Sequence, residues 1–286
     1  MSTLILIHGR RQHGREPAEL RREWVAGLNA GLTKARLETV RPEDAVLPYY
    51  GDLLQRKTLE AAEWGTDIDL EALLPIDPHM PEEIQRLESD LLRSMAERAA
   101  PDVIEEGGRE SILWIPGARR LITRIAGTIR VEHELIEGFL TDVAVYLRFA
   151  RDAVLDMVRR AIDDTDGEVV MVAHSLGSLV AVDLLDEAPI RDRTALLVTA
   201  GSPLGLAAVY RNLRTPGALH PGVEWINAWD PDDFGALGHP LGPLYGKPLE
   251  DIRVDNPSDE IHSIERYLGH ESVASRVGAR LVISAR

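Results

Sequence analysis

Ala173-His174-Ser175-Leu176-Gly177 nearly matches the pattern Gly-x-Ser-x-Gly, in which a serine hydroxyl is held at a sharp turn between a strand and a helix. With a base to take its proton, such a hydroxyl can attack a carbonyl carbon and carry an acyl group. The turn asks for small residues two before and two after the serine; Gly177 meets this and Ala173 adds one methyl group. The same residues would also serve a plainer role, with Ser175 as the N-cap of a helix that follows a buried strand. The chain has no Cys, which excludes a thiolate nucleophile, a thiolate metal ligand and a disulfide. His8 and His174 belong to no spaced pattern such as His-Glu-x-x-His, so no metal is expected.

A serine so placed needs a strand before it and a helix after it, and the sequence supplies both. Residues 168–173 form a short apolar run, and an apolar helical stretch extends from the serine to Leu185. Residues 4–7 form a similar run that ends at His8-Gly9, as a buried strand entering a tight loop does. Further strands are expected at 195–199, 223–229 and 251–254, with a weaker one at 45–50 after a helix over 17–32. The alternation predicts an α/β fold with a mostly parallel central sheet of about six strands and helices on both faces. Ile136, Phe139, Leu140, Val143, Leu147, Ala150, Val154, Val158 and Ile162 recur every three or four positions, predicting a long core-packing helix. Residues 51–130 show helical stretches near 81–98 and no clear strand; their most apolar part, 111–117, suits either the lid of a pocket or the core.

With these motifs in this order, the chain resembles the α/β-hydrolase family, and more narrowly its serine esterases and lipases. The resemblance covers the first ten residues and roughly Glu137 to the C-terminus. With no repeat, low-complexity tract or linker in the chain, a single α/β-hydrolase domain over 1–286 is expected, with the strandless 51–130 as a helical cap insertion that the resemblance does not cover. Family order places an acid after a later strand and a histidine after the last one. The run Trp225-Ile226-Asn227-Ala228-Trp229-Asp230-Pro231-Asp232-Asp233-Phe234 resembles the acid-bearing segment, implying Asp233, with Asp230 and Asp232 as alternatives. His262, ahead of Tyr267, is the implied base, and His270 the alternative. The oxyanion donors implied are the backbone N–H groups of Leu176 and of Arg10, the latter in a loop resembling the family's His-Gly oxyanion loop.

The resemblance implies hydrolysis of a carboxylic ester, small or lipid-like, through an acyl-enzyme on Ser175, with no cofactor. An acyltransferase using the same acyl-enzyme and a non-catalytic binding protein retaining the fold are the alternatives. The 32 basic and 47 acidic residues leave a net charge of −15, which repels a phosphate backbone, so no nucleic-acid partner is expected. The cluster Arg10-Arg11-Gln12-His13-Gly14-Arg15 is basic against that background and suits either an acidic head group or plain solvation. The N-terminal apolar run has no basic leader and is too short to span a bilayer, which predicts a cytoplasmic protein without an integral membrane segment.

Overall fold

The computed structural model describes residues 2–64, 81–99, 122, 125–127, 133–216, 223–236 and 240–281. The apolar stretch 111–117 and much of the expected cap lie outside the described residues. In chain order the first elements are β1 (Thr3–Ile7), α1 (Pro17–Lys34), β2 (Ala45–Val46), α2 (Gly51–Trp64), α3 (Glu82–Ala99) and α4 (His133–Val145). Next come α5 (Arg151–Asp163), β3 (Val169–His174), α6 (Gly177–Leu185), α7 (Ala188–Arg193), β4 (Thr194–Ala200) and α8 (Ala207–Asn212). The chain ends with β5 (Glu224–Trp229), α9 (Gly242–Tyr245), β6 (Leu249–Arg253), α10 (Ile264–Leu268) and α11 (Glu271–Arg280). The helix expected over 136–162 is present as α4 and α5, with a π-helical stretch at Tyr146–Ala150 between them.

The chain divides into two compact units, one of Met1–Gly51, Ala153–Gly205 and Leu213–Arg286, the other of Asp52–Asp152 and Leu206–Asn212. The first holds a six-stranded, all-parallel sheet in the order β2-β1-β3-β4-β5-β6, flanked by helices. β3 is buried at every residue, which is why Val169 to His174 carries no polar alternation. Side chains two apart share a face, so Leu4, Leu6, Val170, Val172, Leu196, Val198, Ile226 and Ala228 form one apolar surface. On it pack the stripe Leu20, Trp24, Leu28 and Leu32 of α1, together with Tyr267, Leu268, Val273 and Val277 of α10 and α11. Each such side chain contributes on the order of 2 kcal/mol by leaving water. The alternate residues, Ile5, Ile7, Met171 and Leu197, face the other way, and α6 packs against β3, β1 and β4.

In the second unit the described elements are helical. α3 turns Ile84, Leu87, Leu91 and Met95 inward at helical spacing, and Thr141 of α4 donates to Glu88 of α3 at 2.7 Å. Ser94 of α3 accepts the Ala208 N–H at the start of α8 at 3.0 Å. Among the described residues no helix is long and apolar enough to cross a membrane.

Because the strands are parallel, their C-terminal ends share one edge of the sheet, the edge where such sheets present loops to ligands. His8 follows β1, Ser175 follows β3, the 230–233 turn follows β5 and His262 lies in the loop after β6. The register pairs Ile7 with Ala173, His174 with Ala200 and Trp229 with Arg253, so these loops leave neighbouring strands at matched heights.

Candidate active site

Ser175 is 1% exposed and holds a φ of 51°, a left-handed conformation costing an L-residue about 1–2 kcal/mol. Tertiary bonds maintain it: its N–H donates to the Ala200 carbonyl at 3.0 Å, and its carbonyl accepts from the Ser178 N–H at 2.9 Å and from the Ser178 hydroxyl. α6 starts two residues later, so the Leu176 N–H sits at a helix start, where the first N–H groups have no intrahelical acceptor. A Cβ on Gly177 would stand 2.3 Å from the Ile7 carbonyl oxygen and 2.5 Å from that of His8. The requirement for glycine at 177 comes from the backbone of Ile7 and His8, at the end of β1 and just after it.

Asp233 and His262 are brought together. The His262 Nδ1–H donates to the Asp233 carboxylate at 2.8 and 2.9 Å, which leaves Nε2 as the nitrogen able to take a proton. Asp233 is 1% exposed, and its carboxylate also accepts the Gly235 N–H at 2.7 Å and the Tyr267 hydroxyl at 2.6 Å. A Cβ on Gly235 would come within 2.4 Å of His262 Cε1, so only glycine lets the imidazole lie against this turn. The other acids do different work. Asp230 accepts the N–H groups of Asp232 at 2.9 Å and Asn256 at 2.6 Å, tying the turn to the loop after β6, and Asp232 is exposed. His270 stands at the N-cap position of α11 without a side-chain capping bond, and bonds through Nε2 to the Asn256 side chain at 2.9 Å, apart from the Asp233 carboxylate.

The His262 ring lies 4.5 Å from that of His174, the residue before Ser175, and 4.5 Å from Phe234. Ser175 Oγ and His262 Nε2 are not joined by a hydrogen bond; both are buried, and neither has a partner among the described residues. His174 Nε2 is likewise buried without a partner. Burial, and after it the neighbouring His262, holds the His174 imidazole well below its ordinary range. A buried serine and a histidine–carboxylate pair are the residue types that nucleophilic acyl transfer uses; the bond from serine to histidine that the reaction also needs is not formed here.

The loop after β1 lies against the serine: a Cβ on Gly9 would be 3.0 Å from Ser175 Cβ. His8 Nδ1–H donates to the Gly9 carbonyl at 2.8 Å, and His8 Nε2 accepts the Tyr50 N–H at 3.1 Å, which fixes one neutral tautomer. The trans peptide then turns the Arg10 N–H away from His8. Tyr50 stacks on the His8 ring at 3.9 Å and donates its hydroxyl to the His8 carbonyl, while the Tyr49 hydroxyl donates to the Gln12 carbonyl at 2.5 Å. The segment after β2 thus braces the loop, a role the sequence reading did not assign. In the basic cluster Arg10 is buried, Arg11 is exposed at a φ of 58°, and Arg15 pairs with Glu23 at 2.6 Å.

Burial pushes the His8 imidazole from 6.5 to about 4, against the Gly9 hydrogen bond, which favours the charged form. A histidine that is neutral when folded and ordinary when unfolded binds fewer protons in the folded state between these two values. Its share of stability is complete above pH 6.5 and is lost as the pH falls to about 4, a loss of about 3 kcal/mol. Urea midpoints should therefore fall steadily from pH 7 to 4.5, with the His8 ring signal untitrated in NMR spectra down to pH 5. A His8 signal titrating near 6.5 would overturn this account. Comparison with family models, curated proteins and solved structures finds no match to this chain.

Proposed function

We propose that the chain is a serine hydrolase of the α/β-hydrolase fold that cleaves carboxylic esters. The observation carrying this reading is the Asp233–His262 hydrogen bond beside a serine in left-handed conformation between β3 and α6. In the proposed reaction Ser175 Oγ bonds to the ester carbonyl carbon while its proton passes to His262 Nε2. The oxyanion is received by the N–H groups of Leu176 and Arg10. Collapse breaks the bond to the alcohol oxygen, which leaves with the proton from His262, and the acyl group remains on Ser175. Water then attacks with His262 again as base, releasing the carboxylic acid and restoring the serine hydroxyl. Asp233 keeps the imidazole in the tautomer whose Nε2 is open. The all-parallel sheet, with each of these loops at its C-terminal edge, supports the fold assignment.

A fluorophosphonate tests this without knowledge of the substrate, because it phosphonylates only an activated serine. The expected result is modification of the folded protein mapped by peptide mass to Ser175 and absent from His262→Ala. No labelling, or labelling that survives His262→Ala, would overturn the reading.

A further inference from the structure

We infer that Tyr267 is a positioning residue that acts through Asp233, its hydroxyl spanning the Asp230 N–H and the Asp233 carboxylate. The inference rests on the hydrolase reading of the same site. Tyr267 is fully buried in α10, and burial followed by the Asp233 charge pushes its phenol upward, so it stays protonated. Its oxygen accepts the Asp230 N–H at 3.2 Å and lies 2.6 Å from Asp233 Oδ2. The Asp230 N–H cannot accept, so the single phenolic proton goes to the carboxylate. The direction of the bond is settled by its partners.

Two donors then pin opposite carboxylate oxygens: Gly235 N–H on Oδ1 and Tyr267 on Oδ2. Rotation of the carboxylate would break one or both, and the His262 Nδ1–H meets the oxygens as they are held. The base and the tyrosine belong to one short segment. Ser263, between them, is the N-cap of α10, its side chain accepting from Arg266 N–H, so the helix start sets the offset from His262 to Tyr267. Among the described residues, the titratable groups facing His262 are Asp233 and His174, with Asp230 reached through Tyr267; Glu260 and Arg266, nearby in sequence, pair with each other at 2.8 Å.

Removing the phenolic oxygen has two separable consequences. The carboxylate is less firmly held, which misplaces the imidazole by a fraction of an ångström. The carboxylate also loses a donor and becomes the stronger base, so it favours the protonated imidazole more. In Tyr267→Phe, kcat for p-nitrophenyl butyrate should fall about 10- to 100-fold with KM little changed. The acid limb of the pH–rate profile and the His262 titration in NMR spectra should both move to higher pH. With 3-fluorotyrosine at position 267, a stronger donor of nearly the same size, both should move to lower pH, a test that stands even where the Phe variant folds poorly. A lowered kcat with neither limb nor titration moved would reduce Tyr267 to packing and overturn the inference. An inactive wild type whose His262 titration still depends on Tyr267 would instead overturn the hydrolase reading and leave the coupling of Tyr267 to His262 through Asp233 standing.

Discussion

Ser175→Ala should lower ester hydrolysis on the order of 10⁴- to 10⁶-fold and at the same time make the protein no less stable. The two halves come from the same observation. Ser175 Oγ is buried and has no hydrogen-bond partner among the described residues, so the substitution breaks no bond that supports the fold. A buried hydroxyl left unpaired costs about 1–3 kcal/mol, and removing it should raise stability by about 1 kcal/mol. The strain at φ 51° remains in the alanine variant, because alanine is also an L-residue. Ser175→Gly relieves that strain and loses about 0.5–1 kcal/mol to the greater freedom of the unfolded chain, so it should be at least as stable as wild type. Hydrolysis of p-nitrophenyl butyrate and thermal midpoints on the three proteins check this together. Activity within tenfold of wild type would remove Ser175 from the proposed reaction, and a clear loss of stability would show that its hydroxyl serves the fold instead.

What was legible in the sequence is what local pattern encodes. β1 and β3 are buried on both faces, so each is a continuous apolar run, and the turn after β3 is written in five consecutive residues. β2 is shorter than the 45–50 expected, only Ala45–Val46. Pro48 has no N–H to give a ladder, and Tyr49 and Tyr50 put their polar groups into bracing the His8 loop. β6 runs over Leu249–Arg253 rather than 251–254, because it is a half-exposed edge strand with no apolar run to mark it. Asp230, Asp232 and Asp233 cannot be ranked by composition; they differ only in where the turn points them, two into buried bonds and one into water. Tyr267 was visible as a residue following the histidine, yet its link to Asp233 crosses 34 positions and follows from the α10 start, not from any local pattern.

Asp233→Asn carries the second large effect, on the order of 10³- to 10⁴-fold in kcat, and it separates Asp233 from the other acids of its turn. The carboxylate receives three donors: Gly235 N–H, the Tyr267 hydroxyl and His262 Nδ1–H. A carboxamide has one acceptor oxygen, so its NH₂ must face a donor wherever it is placed. The Gly235 N–H cannot reverse. The other partner of the Tyr267 hydroxyl among the described residues is the Asp230 N–H, which is also a donor. The imidazole is the one group that can adapt, by moving its proton from Nδ1 to Nε2, and an Nε2 already carrying a proton cannot accept one from Ser175. Asp232 is exposed, so Asp232→Asn should leave kcat within about twofold. Asp230→Asn, by contrast, should show mainly as a lower thermal midpoint, since its carboxylate is buried on two backbone N–H groups. Steady-state kinetics on the three variants decide the assignment: a kcat for Asp233→Asn within tenfold of wild type would mean that the imidazole draws its orientation from elsewhere.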